Sequence, residues 1–84
     1  MGAAVARVRL FAALREIAGA SWLDVSGETV DDVLGALSEK FGGRFDEIAR
    51  SGSVVVGGER VSGERAVRED DEVALLPPVS GGSA

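Results

Sequence analysis

The chain has 84 residues, of which 45% are hydrophobic and 27% are charged, and its formal net charge is −5. This size and composition predict one soluble globular domain with a modest core, and they exclude a disordered chain. Cysteine and histidine are both absent. Without cysteine the chain has no disulfide framework and no thiol nucleophile. Without histidine it lacks the side chain that most often serves as general base and metal ligand. We therefore expect no metal site and no autonomous catalysis.

The acidic balance disfavours nucleic acid as a partner, because nucleic acids are bound mainly through basic patches. No apolar run is long enough to cross a membrane. The first seven residues also lack the basic start and long apolar stretch of a signal peptide. We expect a cytoplasmic protein that binds neither nucleic acid nor a membrane.

The first strand is predicted over Val5–Phe11, where core-facing residues alternate with outward-facing ones. Phe11 shares the outward face with Arg7 and Arg9, so it is either covered by the next element or left accessible. The segment Ala12–Ala18 predicts a short helix, which Gly19 would end as a C-terminal cap.

A second strand is predicted over Ser21–Ser26, and it could pair antiparallel with the first. Within it, Trp22 is expected to be a partly covered aromatic residue. A platform for stacking nucleic-acid bases is less favoured, because no basic groove accompanies the tryptophan.

The one long helix is predicted to begin at Thr29, whose hydroxyl precedes two acidic residues in the first turn. Helical spacing places five apolar residues on one core-facing stripe, namely Val30, Val33, Leu34, Leu37 and Phe41. Gly42 and Gly43 would end this helix.

The second half of the chain predicts a short helical turn over Arg44–Ser51 and then three strands. A hairpin is expected at Gly57 and Gly58, between Val54–Val56 and Glu59–Val61. Glu72–Leu76 is the last strand. The element order predicts an α+β fold with a mixed sheet of about five strands and one main helix across one face. The first and last strands should be central, parallel neighbours.

After Leu76 the composition changes to prolines, small residues and a glycine pair. Proline removes a backbone donor and glycine offers no side chain to pack, so the sheet should stop here. We therefore expect a domain over residues 1–79 and a flexible C-terminal tail over residues 80–84.

Three stretches of the chain resemble the small subunit of molybdopterin synthase, a ubiquitin-like sulfur carrier. Val8–Gly19, with the sequence VRLFAALREIAG, is similar to its opening. Asp70–Gly82, with the sequence DDEVALLPPVSGG, is similar to its ending, and Thr29–Leu34 resembles the start of its helix. The resemblance implies a β-grasp fold and a non-catalytic carrier subunit of an enzyme complex.

The resemblance also implies the chemistry of the C-terminus. An ATP-dependent activating enzyme would adenylate the carboxylate of Gly82, and sulfur would then replace AMP to give a thiocarboxylate. The large synthase subunit would use this sulfur to build the dithiolene of molybdopterin. ATP and magnesium belong to the activating enzyme, and this chain would bind no cofactor itself.

The tail residues Pro77, Pro78, Val79, Ser80 and Gly81 would carry Gly82 into a narrow channel of the partner. If the first and last strands are adjacent, Phe11 and Leu76 share the sheet face opposite the helix. An apolar pair beside Arg9 would then form a partner-binding patch. Arg60 stands at the edge of this patch, where an apolar residue is expected.

The chain departs from the family pattern at Ser83 and Ala84, which follow Gly82. Three explanations are open: a native extension removed by a processing protease, residues added artificially, or a copy that is not a carrier. Three other functions also stay open. The first is a sulfur carrier for thiazole or cysteine synthesis, and the second is a ubiquitin-like modifier joined to lysines through Gly82. The third is a plain interaction domain whose tail is inert.

Overall fold

Five strands form one mixed sheet in residues 4–78, the part of the chain that the computed structural model describes. The strands are β1 Ala4–Leu10, β2 Trp22–Gly27, β3 Ser53–Val56, β4 Glu59–Val61 and β5 Glu72–Leu76. The helices are α1 Ala12–Ala18, α2 Val30–Phe41 and α3 Gly43–Ser51. The tail residues Val79, Ser80, Gly81 and Gly82, and the following Ser83 and Ala84, lie outside the described residues.

The strand order is β2-β1-β5-β3-β4, so the first and last strands of the chain are neighbours in the middle of the sheet. β1 and β5 run parallel, with Leu10 opposite Leu75, and every other neighbouring pair is antiparallel. The predicted parallel pairing is confirmed. It follows from the connection between these strands, which is long enough to carry a crossover helix.

The core lies between α2 and one face of the sheet. Every second residue of β1 is fully buried there, and β3 and β5 continue the same face. The buried residues that line the core from the sheet are Ala6, Val8, Leu10, Val54, Val56, Val73 and Leu75. Val67 reaches the same core from the loop before β5. One sheet covered by one main helix is the β-grasp arrangement that the resemblance implies.

The main helix α2 begins with a capping box. The hydroxyl oxygen of Thr29 accepts a hydrogen bond from the Asp32 backbone N–H at 3.2 Å, and the Asp32 carboxylate accepts one from the Thr29 N–H at 3.1 Å. These bonds satisfy N–H groups that have no partner within the helix. The predicted start at Thr29 is confirmed.

Two expectations about the region after α2 are corrected. Arg44–Ser51 is part of a nine-residue helix, α3, rather than a single turn. It forms because Gly42 at φ 100° redirects the chain, and Phe45 and Ala49 then bury one side of the new helix. Phe41 is only half-buried and packs at the edge of the core, where its ring centroid lies 5.3 Å from that of Phe45.

The β3–β4 hairpin turns at Gly57 and Gly58, with φ values of 61° and 84°. Both central residues of the favoured two-residue hairpin turn require positive φ, which explains the glycine pair. Within residues 4–78, no helix is both long enough and apolar enough to cross a membrane.

Candidate partner-docking face

The sheet face opposite α2 carries the side chains that alternate with the core, and we call it the outer face. Its residues are exposed or half-buried, in contrast to the fully buried side chains on the core face. They are Val5, Arg7 and Arg9 of β1, Trp22, Asp24 and Ser26 of β2, Ser53 and Val55 of β3, Arg60 of β4, and Glu72, Ala74 and Leu76 of β5.

One row of paired residues crosses the whole outer face. Arg9 lies between Trp22 on one side and Ala74 on the other, and Val55 lies between Ala74 and Arg60. The row therefore has a tryptophan at one edge, an arginine at the other and small apolar residues near its centre. This arrangement leaves a shallow apolar strip flanked by two guanidinium groups.

Arg9 makes cation–π contacts with two aromatic rings. Its Cζ atom lies 5.1 Å from the ring centroid of Phe11 and 5.0 Å from that of Trp22. Arg7 also lies over the Trp22 ring, at 5.7 Å, yet Trp22 stays 43% exposed. A guanidinium over an aromatic face is attracted by the ring quadrupole, so the rings and Arg9 stabilise one another's positions.

The other end of the outer face is acidic. Asp24 forms an ion pair with Arg7, with 3.8 Å between Oδ1 and Nε. Glu72 lies opposite Arg7 on β5, and the Glu69 carboxylate accepts a hydrogen bond from the Val5 N–H at 3.3 Å. Arg9 and its two rings thus occupy one end of the face, and carboxylates dominate the other.

The C-terminal segment leaves the sheet at the aromatic end. Leu76 stands one position beyond the paired Leu10 and Leu75, so it neighbours Phe11 on the outer face, and both side chains are half-buried. Pro77 follows half-buried and Pro78 is exposed. The structure therefore brings Phe11, Leu76 and Arg9 to one end of the face, at the base of the predicted tail.

A close backbone approach fixes the position of that base. Gly52 stands directly before β3, and Ser53 pairs with Leu76. A β-carbon built on Gly52 would overlap the carbonyl oxygen of Leu76 and lie 2.9 Å from the carbonyl carbon of Pro77. Only glycine allows these two stretches of main chain to lie so close together.

Sequence reasoning missed the roles of Trp22 and Gly52. The partial covering of Trp22 is as predicted, but the two arginines that cover it depend on the register of β1 against β2. A signal was nevertheless present, because Trp22 alternates with the inward-facing Leu23 and Val25 and so had to lie on the outer face. No local sequence pattern predicts that Gly52 lies close to Leu76.

A polar network on the helix side of the molecule is separate from the outer face. The carboxylate of Asp46 accepts hydrogen bonds from the Ser38 hydroxyl and from Arg50 Nε, both at 2.6 Å. The Ser38 bond, followed by the Arg50 bond, lowers the pKa of Asp46. Within residues 4–78, no group of three or more acidic side chains could hold a metal ion.

Solved structures with this fold include a modifier protein and two protein complexes. The small archaeal modifier protein 1 of Methanosarcina acetivorans is 33% identical, with a TM-score of 0.82 over 98% of this chain and 100% of that one. CysO in the Amycolatopsis orientalis BexX/CysO complex is 24% identical, with a TM-score of 0.76 over 92% and 99%. The complex of subunits 1 and 2 of the Helicobacter pylori molybdopterin-converting factor gives 22% identity and a TM-score of 0.68 over 93% and 99%.

The sequence also matches a known protein family over almost its whole length. Residues 8–82 match the ThiS family, and this range includes the outer face apart from Val5 and Arg7, the base of the C-terminal segment and Gly82. The likeness to the archaeal modifier covers the same domain at a level of identity that exceeds fold similarity alone. The chain therefore belongs to the ThiS family, whose members are ubiquitin-like sulfur carriers and modifiers.

Proposed function

We propose that the chain is the sulfur carrier of a molybdopterin synthase and that the C-terminal carboxylate of Gly82 carries the sulfur. The observation that supports this most strongly is the parallel pairing of β1 with β5. This pairing puts Phe11 and Leu76 side by side where the C-terminal segment begins. A partner that docks on this end of the outer face would stand next to the emerging tail.

The tail is long enough to reach a buried site in such a partner. Six residues from Pro77 to Gly82 span roughly 20 Å when they are extended. Pro78 is already exposed where the segment leaves the domain. The two prolines would stiffen the base of the tail and reduce the entropy lost when it enters a channel.

The chemistry requires nothing of this chain except its terminal carboxylate. That carboxylate attacks the α-phosphorus of ATP on the activating enzyme, pyrophosphate leaves, and an acyl-adenylate forms. Hydrosulfide then adds to the acyl carbon, AMP leaves, and the product is a thiocarboxylate. A chain without cysteine cannot carry sulfur on a side chain, so the terminal carboxylate is the natural place for it. A chain that ends at Ala84 would first have to lose Ser83 and Ala84.

The experiment that tests the pathway uses the thiocarboxylate made chemically on a chain that ends at Gly82. It is mixed separately with the large subunit of molybdopterin synthase, with thiazole synthase and with a cysteine-forming synthase from the same organism, each supplied with its own sulfur-accepting substrate. We expect sulfur to pass only to the first, and the molybdopterin dithiolene to form. Transfer to either of the other two would assign the chain to that pathway.

A ubiquitin-like modifier is the second candidate, and the 33% identity to the archaeal modifier protein favours it. In this case the activated Gly82 would react with a lysine amine and form an isopeptide bond. Mass spectrometry of cellular proteins would then find lysines joined to Gly82. The sulfur-carrier proposal expects the thiocarboxylate and no such linkage.

A further inference from the structure

The outer face carries a cationic group, Arg9, that lies against two aromatic rings. Phe11 and Trp22 lie over Arg9 at 5.1 and 5.0 Å, and Arg9 itself is exposed. A guanidinium is planar, and all of its N–H donors lie in that plane. A cation–π contact gives the guanidinium N–H groups no acceptor oxygen, so these donors can still bind a ligand.

No acidic side chain of the described residues satisfies these donors. Arg9 forms no ion pair within residues 4–78. Its lateral neighbours on the sheet are Trp22 and Ala74, and neither side chain can accept a strong hydrogen bond. The nearest acid on β2, Asp24, pairs with Arg7. Among residues 4–78, therefore, no carboxylate pairs with Arg9, and a carboxylate of a partner protein can bind there.

We propose that Arg9, in contact with the rings of Phe11 and Trp22, binds a carboxylate of the partner protein and so determines which partner the carrier accepts. The partner is the sulfur-accepting subunit, so the inference rests on the proposed function. That subunit should present an acidic side chain beside an apolar surface that covers Trp22 and Leu76. The acidic end of the outer face, with Asp24 and Glu72, would repel the same carboxylate and so fix the orientation of docking.

An arginine is better suited than a lysine to bind a carboxylate at this position. A guanidinium fork binds a carboxylate through two parallel hydrogen bonds, whereas an ammonium group acts as a point charge. The two rings already restrict the motion of Arg9, so less side-chain entropy is lost when the partner binds. The positive charge, the forked shape and the restricted motion of the Arg9 side chain therefore favour a bidentate contact with a carboxylate.

The test uses the single tryptophan of the chain as a probe. A chain that ends at Gly82 is labelled with 5-fluorotryptophan, which gives one fluorine resonance, and is titrated with the unlabelled large subunit of molybdopterin synthase from the same organism. Affinity is measured in parallel by calorimetry. We expect the Trp22 resonance to shift on binding, and Arg9→Gln and Arg9→Lys each to weaken affinity by about tenfold or more.

The matched control is Arg44→Gln, which makes the same charge change on an exposed residue of α3, away from the outer face. It should change affinity less than about twofold. Wild-type affinity for Arg9→Lys would refute the bidentate contact, and an unmoved Trp22 resonance during saturable binding would place the partner elsewhere. If the wild-type chain did not bind the subunit, both the proposed function and this inference would be wrong.

Discussion

Gly52 and Leu76 lie so close together that a β-carbon on Gly52 would overlap the main-chain carbonyl oxygen of Leu76. Gly52 directly follows α3 as its C-terminal cap, and Leu76 is the last residue of β5, directly before Pro77. The contact therefore joins the helical layer to the point where the C-terminal segment leaves the sheet. It determines where the tail begins relative to the outer face.

Replacement of Gly52 by alanine should displace the base of the tail. We expect Gly52→Ala to lower the free energy of unfolding by about 1–3 kcal/mol, because main-chain atoms cannot move aside as a flexible side chain can. Chemical denaturation measures this change. The control is Gly35→Ala in α2, where a new β-carbon meets nothing within 4 Å, and helix propensity predicts a gain of roughly 0.5–1 kcal/mol. Equal stability of Gly52→Ala and the wild type would contradict the close approach.

Truncation of the apolar pair should affect binding more than folding. We expect Phe11→Ala and Leu76→Ala each to cost about 1–2 kcal/mol of binding free energy to the large subunit, as truncated interface anchors do. Both side chains are only half-buried, so each loss of folding stability should be smaller than for a core leucine. Ile48→Ala on α3, half-buried on the helix side, should show the reverse pattern. Unchanged titration curves for both folded variants would exclude this patch.

The capping box at α2 should contribute measurably to stability. Thr29→Ala removes the hydroxyl oxygen that accepts from the Asp32 N–H, and we expect a loss of about 1 kcal/mol. Thr29→Ser keeps the oxygen and should stay close to the wild type. Thermal or chemical unfolding of the three proteins measures this difference in the free energy of unfolding. Equal free energies for the alanine and serine variants would show that the cap does not contribute to stability.

The Asp46 network should make stability depend on pH in acid. Hydrogen bonds from Ser38 and then Arg50 hold the pKa of Asp46 below its ordinary value of 3.8. The folded state thus favours the ionised carboxylate, and this contribution is complete above the unfolded pKa and is lost as the pH falls through the folded one. The wild type should lose more stability than Asp46→Asn between about pH 5 and pH 2.

An NMR titration separates the causes of that shift. Ser38→Ala removes the strongest of them, so the pKa of Asp46 should rise toward its ordinary value. A titration midpoint of Asp46 that is the same with and without the Ser38 hydroxyl would show that the hydrogen bond has no influence on the pKa.

Local patterns predict most of this fold. Alternation places Ala6, Val8 and Leu10 in the core, the Thr29 cap marks the start of α2, and the glycine pair at 57 and 58 gives the hairpin. Even the parallel neighbours β1 and β5 follow from chain connectivity. These features depend on residues that are close in sequence, or on rules that apply to any crossover.

Long-range geometry accounts for what the sequence does not reveal. The cation–π contact between Arg9 and Trp22 requires these two residues to lie opposite each other on β1 and β2. A register shift of one residue would send every β2 side chain to the other face. Gly52 approaches Leu76 across 24 residues of chain (76 − 52). Phe41 fits the helical stripe of α2, yet it ends the helix and so lies only at the edge of the core.

The formation of a thiocarboxylate on Gly82 tests the central claim most directly. A chain that ends at Gly82 is incubated with the adenylating enzyme of the same organism, ATP, magnesium and sulfide, and its intact mass is measured. We expect one oxygen to be replaced by sulfur at the C-terminus, and no change in a matched chain that ends at Ala84. An unchanged Gly82 chain, in a reaction where a known carrier is converted by its own enzyme, would contradict the sulfur-carrier function.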